Sequence, residues 1–372
     1  MERSAWIETD LTAIVHNVSE IKRWIGPDTE VLAVVKANAY GHGLVEVAIA
    51  SIEAGARMLG VAFASEAVAL RHAGIVAPIL VLGCALPEES TALVALGISQ
   101  AVSNAEIVEA LSSAAVAQRK RARVHAKIDT GMGRVGVACE RAVPFVEGLL
   151  RRPGIELEGI MTHFATADQP EDLSFAYTQL HRFQAVVEKL HRKGIDTKWR
   201  HAANSAAIVF MHESFLDMVR TGLLLYGIPP TDGDPPGLEL RSALSLKAKM
   251  TQLRTVRPGE SVSYGRTFVP QRRSRLGIVP VGYADGYSRG HSNRGEVIVK
   301  GQRVPIVGRV CMDQFVVDVT ELEGLRLGEP VVLIGQQGQE RITAWDVALS
   351  MGSIPHEVLS ALGDRLPRVF LR

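Results

Sequence analysis

The sequence predicts an α/β protein, a (β/α)8 TIM barrel followed by a C-terminal, mainly antiparallel β domain. Three observations carry this prediction. Up to about Tyr226, short β-branched apolar runs alternate with longer helical patterns, the mark of repeated βα units around a parallel sheet. Eight such runs can be counted. A turn-rich stretch, "IPPTDGDPPG" at 228–237, then ends the pattern, and short strands between Gly, Pro and charged turns follow it.

The eight runs are "VLAVVK" (31–36), "MLGVAF" (58–63), "ILVLG" (79–83), "ISQAVS" (98–103), "RVHAKID" (123–129), "LEGIMTHF" (157–164), "KWRHAA" (198–203) and "DMVRTGLLLYG" (217–227). Helix signals lie between them: Ser65 with Glu66 before "AVALRHAG", and Pro87 opening a segment that Gly97 closes. A doubly wound sheet lacks support, because no GxGxxG turn follows the first run. Past the linker, "SLKAKMTQLRTV", "RLGIVPVGYA", "GEVIVKG", "QRVPIVGRV", "FVVDVT" and "EPVVLIG" read as antiparallel strands. The 372 residues exceed what one core usually holds. The barrel is expected over 10–228 and the β domain over 229–372, joined by an N-terminal strand at 1–9.

With 41 basic and 40 acidic residues and no long block of one sign, neither nucleic acid nor an anionic membrane is an expected partner. A small neutral or zwitterionic substrate fits better. Cys84, Cys139 and Cys311 are odd in number and far apart, which reads as reduced thiols with no metal-ligand spacing. "MERSAWIETD" carries charge where a signal peptide needs an apolar core, and no apolar run approaches ~20 residues. A soluble, cytoplasmic protein without a metal is expected.

Barrel chemistry sits at the carboxyl ends of the strands, and unusual polar residues fall there. Lys36 ends the first run, Lys127 and Asp129 the fifth and His163 the sixth. His201, Asn204 and Ser205 follow the seventh, and Arg220 and Gly222 lie in the eighth. Lys36 follows five apolar residues, so its amine is placed at the mouth of a water-poor core. Desolvation there lowers an amine's pKa and makes it nucleophilic. Gly41 and Gly43 allow a tight turn or a close approach of backbone to ligand. "HAANSAA" offers a helix start that either binds phosphate or is capped by Asn204 or Ser205. A lysine on strand one facing a phosphate site at strands seven and eight is the geometry a pyridoxal 5′-phosphate Schiff base needs.

"VVKANAYGHG", "KIDTGMGRVG", "HAANSAA", "VRTGLLLYG", "VSYGRTF", "VGYADGY" and "GRVCMDQFVVDVT" together resemble the alanine racemase family of fold type III pyridoxal-phosphate enzymes, over nearly the whole chain. The resemblance implies that Lys36 holds the cofactor and is one of two catalytic bases, with Tyr264, from the β domain of a neighbouring subunit, as the other. Two bases suit a reaction that removes the α-proton on one face and returns another on the opposite face. A homodimer with shared active sites follows. Arg220 matches the arginine that hydrogen-bonds the pyridine nitrogen, and a guanidinium does not readily release a proton. His163 would link Arg220 toward Tyr264, and His201 would lie behind the ring. Arg134 would orient the substrate carboxylate, and Lys127 matches a lysine often carbamylated in the family. Tyr40, Asn204, Ser205, Gly222 and Leu223 align with phosphate binders, and Met312 and Asp313 with residues lent to the partner's substrate pocket.

One departure stands out. The family usually has a tyrosine before a glutamate near the C-terminus, lining the substrate pocket and touching the phosphate, and here the pair is His356 and Glu357. The implied activity is racemisation of alanine, supplying D-alanine for peptidoglycan or serving its catabolism. Serine or another small amino acid is the alternative substrate. A fold type III decarboxylase and a non-enzymatic cofactor carrier are further alternatives, disfavoured by "VSYGRTF" with "CMDQ" and by the β domain respectively.

Overall fold

The computed structural model describes residues 3–233 and 235–372. The chain divides into two compact units, one of residues 14–39 and 44–241, the other of residues 3–13, 40–43 and 242–372. The first strand, β1 (Ala5–Asp10), belongs to the second unit.

The first unit is the barrel. Its strands are β2 (Glu30–Val34), β3 (Met58–Val61), β4 (Ile79–Val81), β5 (Ser99–Val102) and β6 (Ala122–Asp129). After a two-residue strand, β7 (Val137–Ala138), that pairs with β6 come β8 (Ile155–Met161), β9 (Trp199–His201) and β10 (Met218–Thr221). The parallel order is β10-β2-β3-β4-β5-β6-β8-β9. Backbone bonds from Asp217 N to Arg200 O and from Arg220 N to Ala203 O close the ring. These strands are covered on both faces, so they read as continuous apolar runs rather than alternating ones: every residue of β3, β4 and β5 is buried. Gly60 on β3 leaves room for the Leu32 and Leu82 side chains, which a Cβ there would meet at 2.5 and 3.0 Å.

All eight expected runs contain a strand of this ring. The last ends early: the chain turns at Gly222 and Leu223–Tyr226 forms a 3-10 helix, so the apolar "LLLY" is buried as a helical turn. Ser65 is not a cap, because the helix Ala64–His72 already contains it. Glu66 supplies the capping function instead, accepting the Ala62 and Phe63 N–H groups at 2.7 and 3.2 Å.

The second unit is built on β11 (Leu244–Lys249), β12 (Gln252–Val256), β13 (Ser274–Val279), β14 (Glu296–Val299), β15 (Gln302–Val307), β16 (Phe315–Asp318), β17 (Pro330–Gln337), β18 (Glu340–Ile342) and β19 (Arg368–Leu371). The order is β12-β13-β16-β15-β14-β17-β11-β1-β19, with β18 on β17, and every pairing is antiparallel except β1 with β19. Here alternation returns: β1 and β11 each bury every second residue, as strands with one solvated face do. Val256, Val262, Leu276 and Val307 form a core cluster in this unit.

Candidate functional site

In the barrel, residues 36, 127, 129, 163, 201, 204, 205, 220 and 222 lie at or just beyond the carboxyl ends of β2, β6, β8, β9 and β10. They therefore share the rim where barrel loops carry chemistry.

Arg220 is the most constrained of them. It is buried, and its four Nη hydrogens face five acceptors. Nη2 donates to Thr162 O at 2.7 Å, Ala202 O at 2.9 Å and His163 Nδ1 at 3.0 Å, and Nη1 donates to His201 O at 3.0 Å and His201 Nδ1 at 3.2 Å. Its Nε–H has no acceptor among the described residues. Burial brings the guanidinium down to about 9, which leaves it cationic at neutral pH. His163 and His201 are held well below the ordinary histidine value, by burial first and then by Arg220 for His163 and by His125 and Arg220 for His201. Both are neutral acceptors toward Arg220.

The Lys36 amine is shifted down by burial and then by Arg134, with Glu66 pulling it back up. The backbone after it is unusual: Ala37, Asn38 and Ala39 have φ of +53° and Tyr40 +52°, one turn of left-handed helix. Each L-residue in that conformation costs about 1–2 kcal/mol. The turn is secured by its hydrogen bonds, with Ala37 N–H on Glu66 Oε1 at 2.6 Å, Ala39 N–H on Val35 O at 2.9 Å and Leu44 N–H on Asn38 Oδ1 at 2.8 Å.

Lys127 is buried and donates to Leu82 O at 3.1 Å. Desolvation, then Arg220 and Arg134, bring its amine down to about 8. Asp129 accepts the Gly131 and Gly133 N–H groups at 2.9 and 3.1 Å and so shapes the turn that carries the exposed Arg134. Lys36, Lys127, Arg134 and Arg220 make this rim electropositive, suited to anionic groups.

Loops seven and eight meet at Ser205, whose Oγ accepts Gly222 N–H at 2.8 Å and lies 3.5 Å from Leu224 N. Leu223, between them, is buried. Asn204 caps the short helix Ser205–Phe210 by accepting Ala207 N–H at 3.0 Å, so the capping that the sequence left open is present.

In the second unit Tyr264 is 75% exposed and Met312 53% exposed. Ser263, before Tyr264, has a φ of +64° and donates to Arg309 O at 2.8 Å. Asp313 is paired with Arg365 at 2.7 Å. Tyr40 is buried, which pushes its phenol up to about 12, and its ring lies 5.7 Å from that of His356.

In the sequence Glu66 signals only a helix start, and His125 and Glu158 are not among the strand-end candidates. The latter two are polar residues inside apolar strand runs, a signal present in "RVHAKID" and in "IELEGIM".

A family model described as "Alanine racemase, N-terminal domain" matches residues 9–230, and one described as "Alanine racemase, C-terminal domain" matches residues 243–370. "Alanine racemase 2" of Caldanaerobacter subterraneus subsp. tengcongensis is 43% identical over 370 residues, 99% of this chain and 95% of that protein. The alanine racemase of Carboxydothermus hydrogenoformans is 44% identical over 370 residues, 99% of this chain and 100% of that protein. Among solved structures, the alanine racemase of Bacillus anthracis with bound L-Ala-P superposes with a TM-score of 0.93 at 40% identity, covering 100% of this chain and 96% of that one. The alanine racemase of a D-cycloserine-producing Streptomyces lavendulae gives 0.95 at 36% identity, covering 100% and 98%.

Proposed function

The chain belongs to the alanine racemase family, and on that premise we infer that Lys36 and Tyr264 are the two opposed bases of its reaction. That reaction is the racemisation of alanine with pyridoxal 5′-phosphate as cofactor. When bound, the cofactor withdraws electrons from Cα and makes its proton removable.

The residues present fit that group. The buried rim offers a Lys36 amine with a lowered pKa, an Arg220 Nε–H with no other acceptor among the described residues, and a surplus of positive charge for phosphate and carboxylate. Lys36 on this rim, shifted by burial and Arg134, is the observation that carries the reading. Arg220 would hold the ring nitrogen without giving it a proton, since a guanidinium parts with one so reluctantly. Tyr40, Asn204, Ser205, Gly222, Leu223 and His356 would hold the phosphate end. Arg134 would take the substrate carboxylate. The Lys127 amine, at about 8, has a substantial unprotonated fraction at neutral pH; as a carbamate it would become an anion able to fix Arg134.

Tyr264 would hold or receive the proton on the face opposite Lys36. The exposure of Tyr264 and Met312 supports a homodimer in which one protomer lends Tyr264, Met312 and Asp313 to its partner's site. The division of the chain would then be a catalytic barrel over 10–228 and a lending domain over 229–372. Among the described residues no helix is long and apolar enough to cross a membrane. The reaction would run in the cytoplasm, where D-alanine would feed peptidoglycan synthesis or be catabolised. His356 near Tyr40, where the family usually has tyrosine, favours a side activity on serine.

Incubation with L-alanine, L-serine and L-lysine in deuterated water tests the reading. Racemisation of alanine with α-deuterium in both enantiomers is expected, with slower exchange of serine. Carbon dioxide without D-product would overturn it.

A further inference from the structure

Behind Arg220, a line of polar side chains runs through the apolar interior of the barrel. His201 Nε2 lies 2.8 Å from His125 Nδ1, and His125 Nε2 lies 3.2 Å from Glu158 Oε2. The same Glu158 oxygen accepts the Ser99 hydroxyl at 2.6 Å. All four side chains are buried, and burying polar groups in a barrel core is costly unless each is paired.

The direction of every hydrogen bond can be deduced from its two ends. Arg220 can only donate, so His201 Nδ1 accepts. His201 is neutral, so its proton sits on Nε2 and is given to His125 Nδ1. His125, held low by burial, then carries its proton on Nε2 and gives it to Glu158. Burial disfavours the Glu158 carboxylate, but hydrogen bonds from His125 and Ser99 and the nearby charge of Arg123 outweigh this and hold it down at about 2. The line thus starts at a group that only donates and ends at one that only accepts, and one tautomer of each histidine satisfies it.

The backbone makes room for this arrangement. In the β6/β8 ladder Val124 pairs with Leu157 and His125 with Gly159, leaving Glu158 as the extra residue of a bulge, a device that re-aims a side chain. At Gly159 a Cβ would lie 2.5 Å from His125 Nδ1, so the glycine leaves space for the ring.

We propose that Glu158, acting through His125 and His201, is a positioning residue for Arg220. The relay presents a lone pair at His201 Nδ1 to the guanidinium, which helps tie down Nη1 while Thr162 O, Ala202 O and His163 Nδ1 hold Nη2. With the opposite tautomer, two donors would face each other and Arg220 would swing. This rests on the reading that Arg220 holds the cofactor's ring nitrogen.

The experiment combines side-chain nitrogen NMR of the histidines in the full-length protein loaded with pyridoxal 5′-phosphate with kcat and KM for Glu158→Leu. In the wild type, His125 and His201 should both carry hydrogen on Nε2. In Glu158→Leu, which removes the acceptor at the end of the line, His201 should populate the Nδ1–H form and kcat should fall about tenfold, with KM within about twofold. An unchanged kcat, or a lower kcat with both histidines in the wild-type tautomer, overturns the proposal. If that variant does not fold, Ser99→Ala should shift the tautomers and kcat in the same direction by about two- to threefold, and wild-type values overturn it. The wild-type tautomers need no turnover to be read, so failure of the relay is separable from failure of the reading beneath it, which wild-type kcat and cofactor absorbance in Arg220→Ala would reveal.

Discussion

Lys36 and Tyr264 both sit beside backbone that L-residues seldom adopt, yet the two loops are secured differently. After Lys36, four consecutive residues are left-handed, and the turn is held from several sides by Glu66, Val35 O and Asn38. Around Tyr264 the positive φ values fall on Ser263, Gly265 and Arg266; Ser263 and Arg266 have side-chain hydrogen bonds there, and the tyrosine ring stands largely in solvent. Strain of this kind persists where surrounding structure over-determines it. The comparison teaches that the lysine side of the proposed pair is pre-set within the barrel unit, while the tyrosine side presents an exposed phenol of the kind a second subunit would cover.

The largest effect that sharpens this contrast is Lys36→Ala. It should lower kcat by at least about 10³-fold and abolish the cofactor's bound absorbance, because base and attachment are lost together. Full activity and absorbance would break the comparison.

Acid should loosen the barrel next. His125, His163 and His201 are kept neutral, by burial first. In the unfolded chain each would titrate near about 6.5. Their folded values lie lower, so below that pH the unfolded chain binds more protons and stability falls with acidification, by up to about 4 kcal/mol per pH unit if all three contribute. Above it their contribution is flat. Urea unfolding at pH 7.5 and 5.5 checks this, and equal stabilities would contradict it.

Glu66→Ala removes the acceptor of three backbone N–H groups, those of Ala37, Ala62 and Phe63. A loss of about 2–3 kcal/mol in chemical unfolding is expected. The Lys36 amine should also titrate lower, because the carboxylate that raises it is gone. The smallest effect is Ala37→Gly. Ala37 is exposed, so relief of left-handed strain should stabilise by about 1 kcal/mol or less, visible as a small rise in Tm.

The ring of eight strands was legible because strands buried on both faces must be apolar along their length, as in "ILV" and "MLGV". The rim residues were legible because polar side chains at strand ends stand out against such runs. The left-handed turn was not: alanine leaves no mark of positive φ, and Asn38, Gly41 and Gly43 hinted only at a tight turn rather than at four consecutive left-handed residues. The helices Ala344–Met351 and Pro355–Ser360 and the strand β19 also escaped, since short elements packed by tertiary contacts carry little period of their own. Where His125 and Glu158 meet depends on a bulge, which is set by the pairing of two strands rather than by either sequence alone.

The most direct test of the two-base account is α-proton exchange in deuterated water by Tyr264→Phe, measured separately from L-alanine and D-alanine. If Tyr264 serves one face and Lys36 the other, the variant should lose about 10²-fold or more in exchange from the L-enantiomer while exchange from the D-enantiomer falls far less. Equal losses from both enantiomers would contradict the division of labour between the two loops.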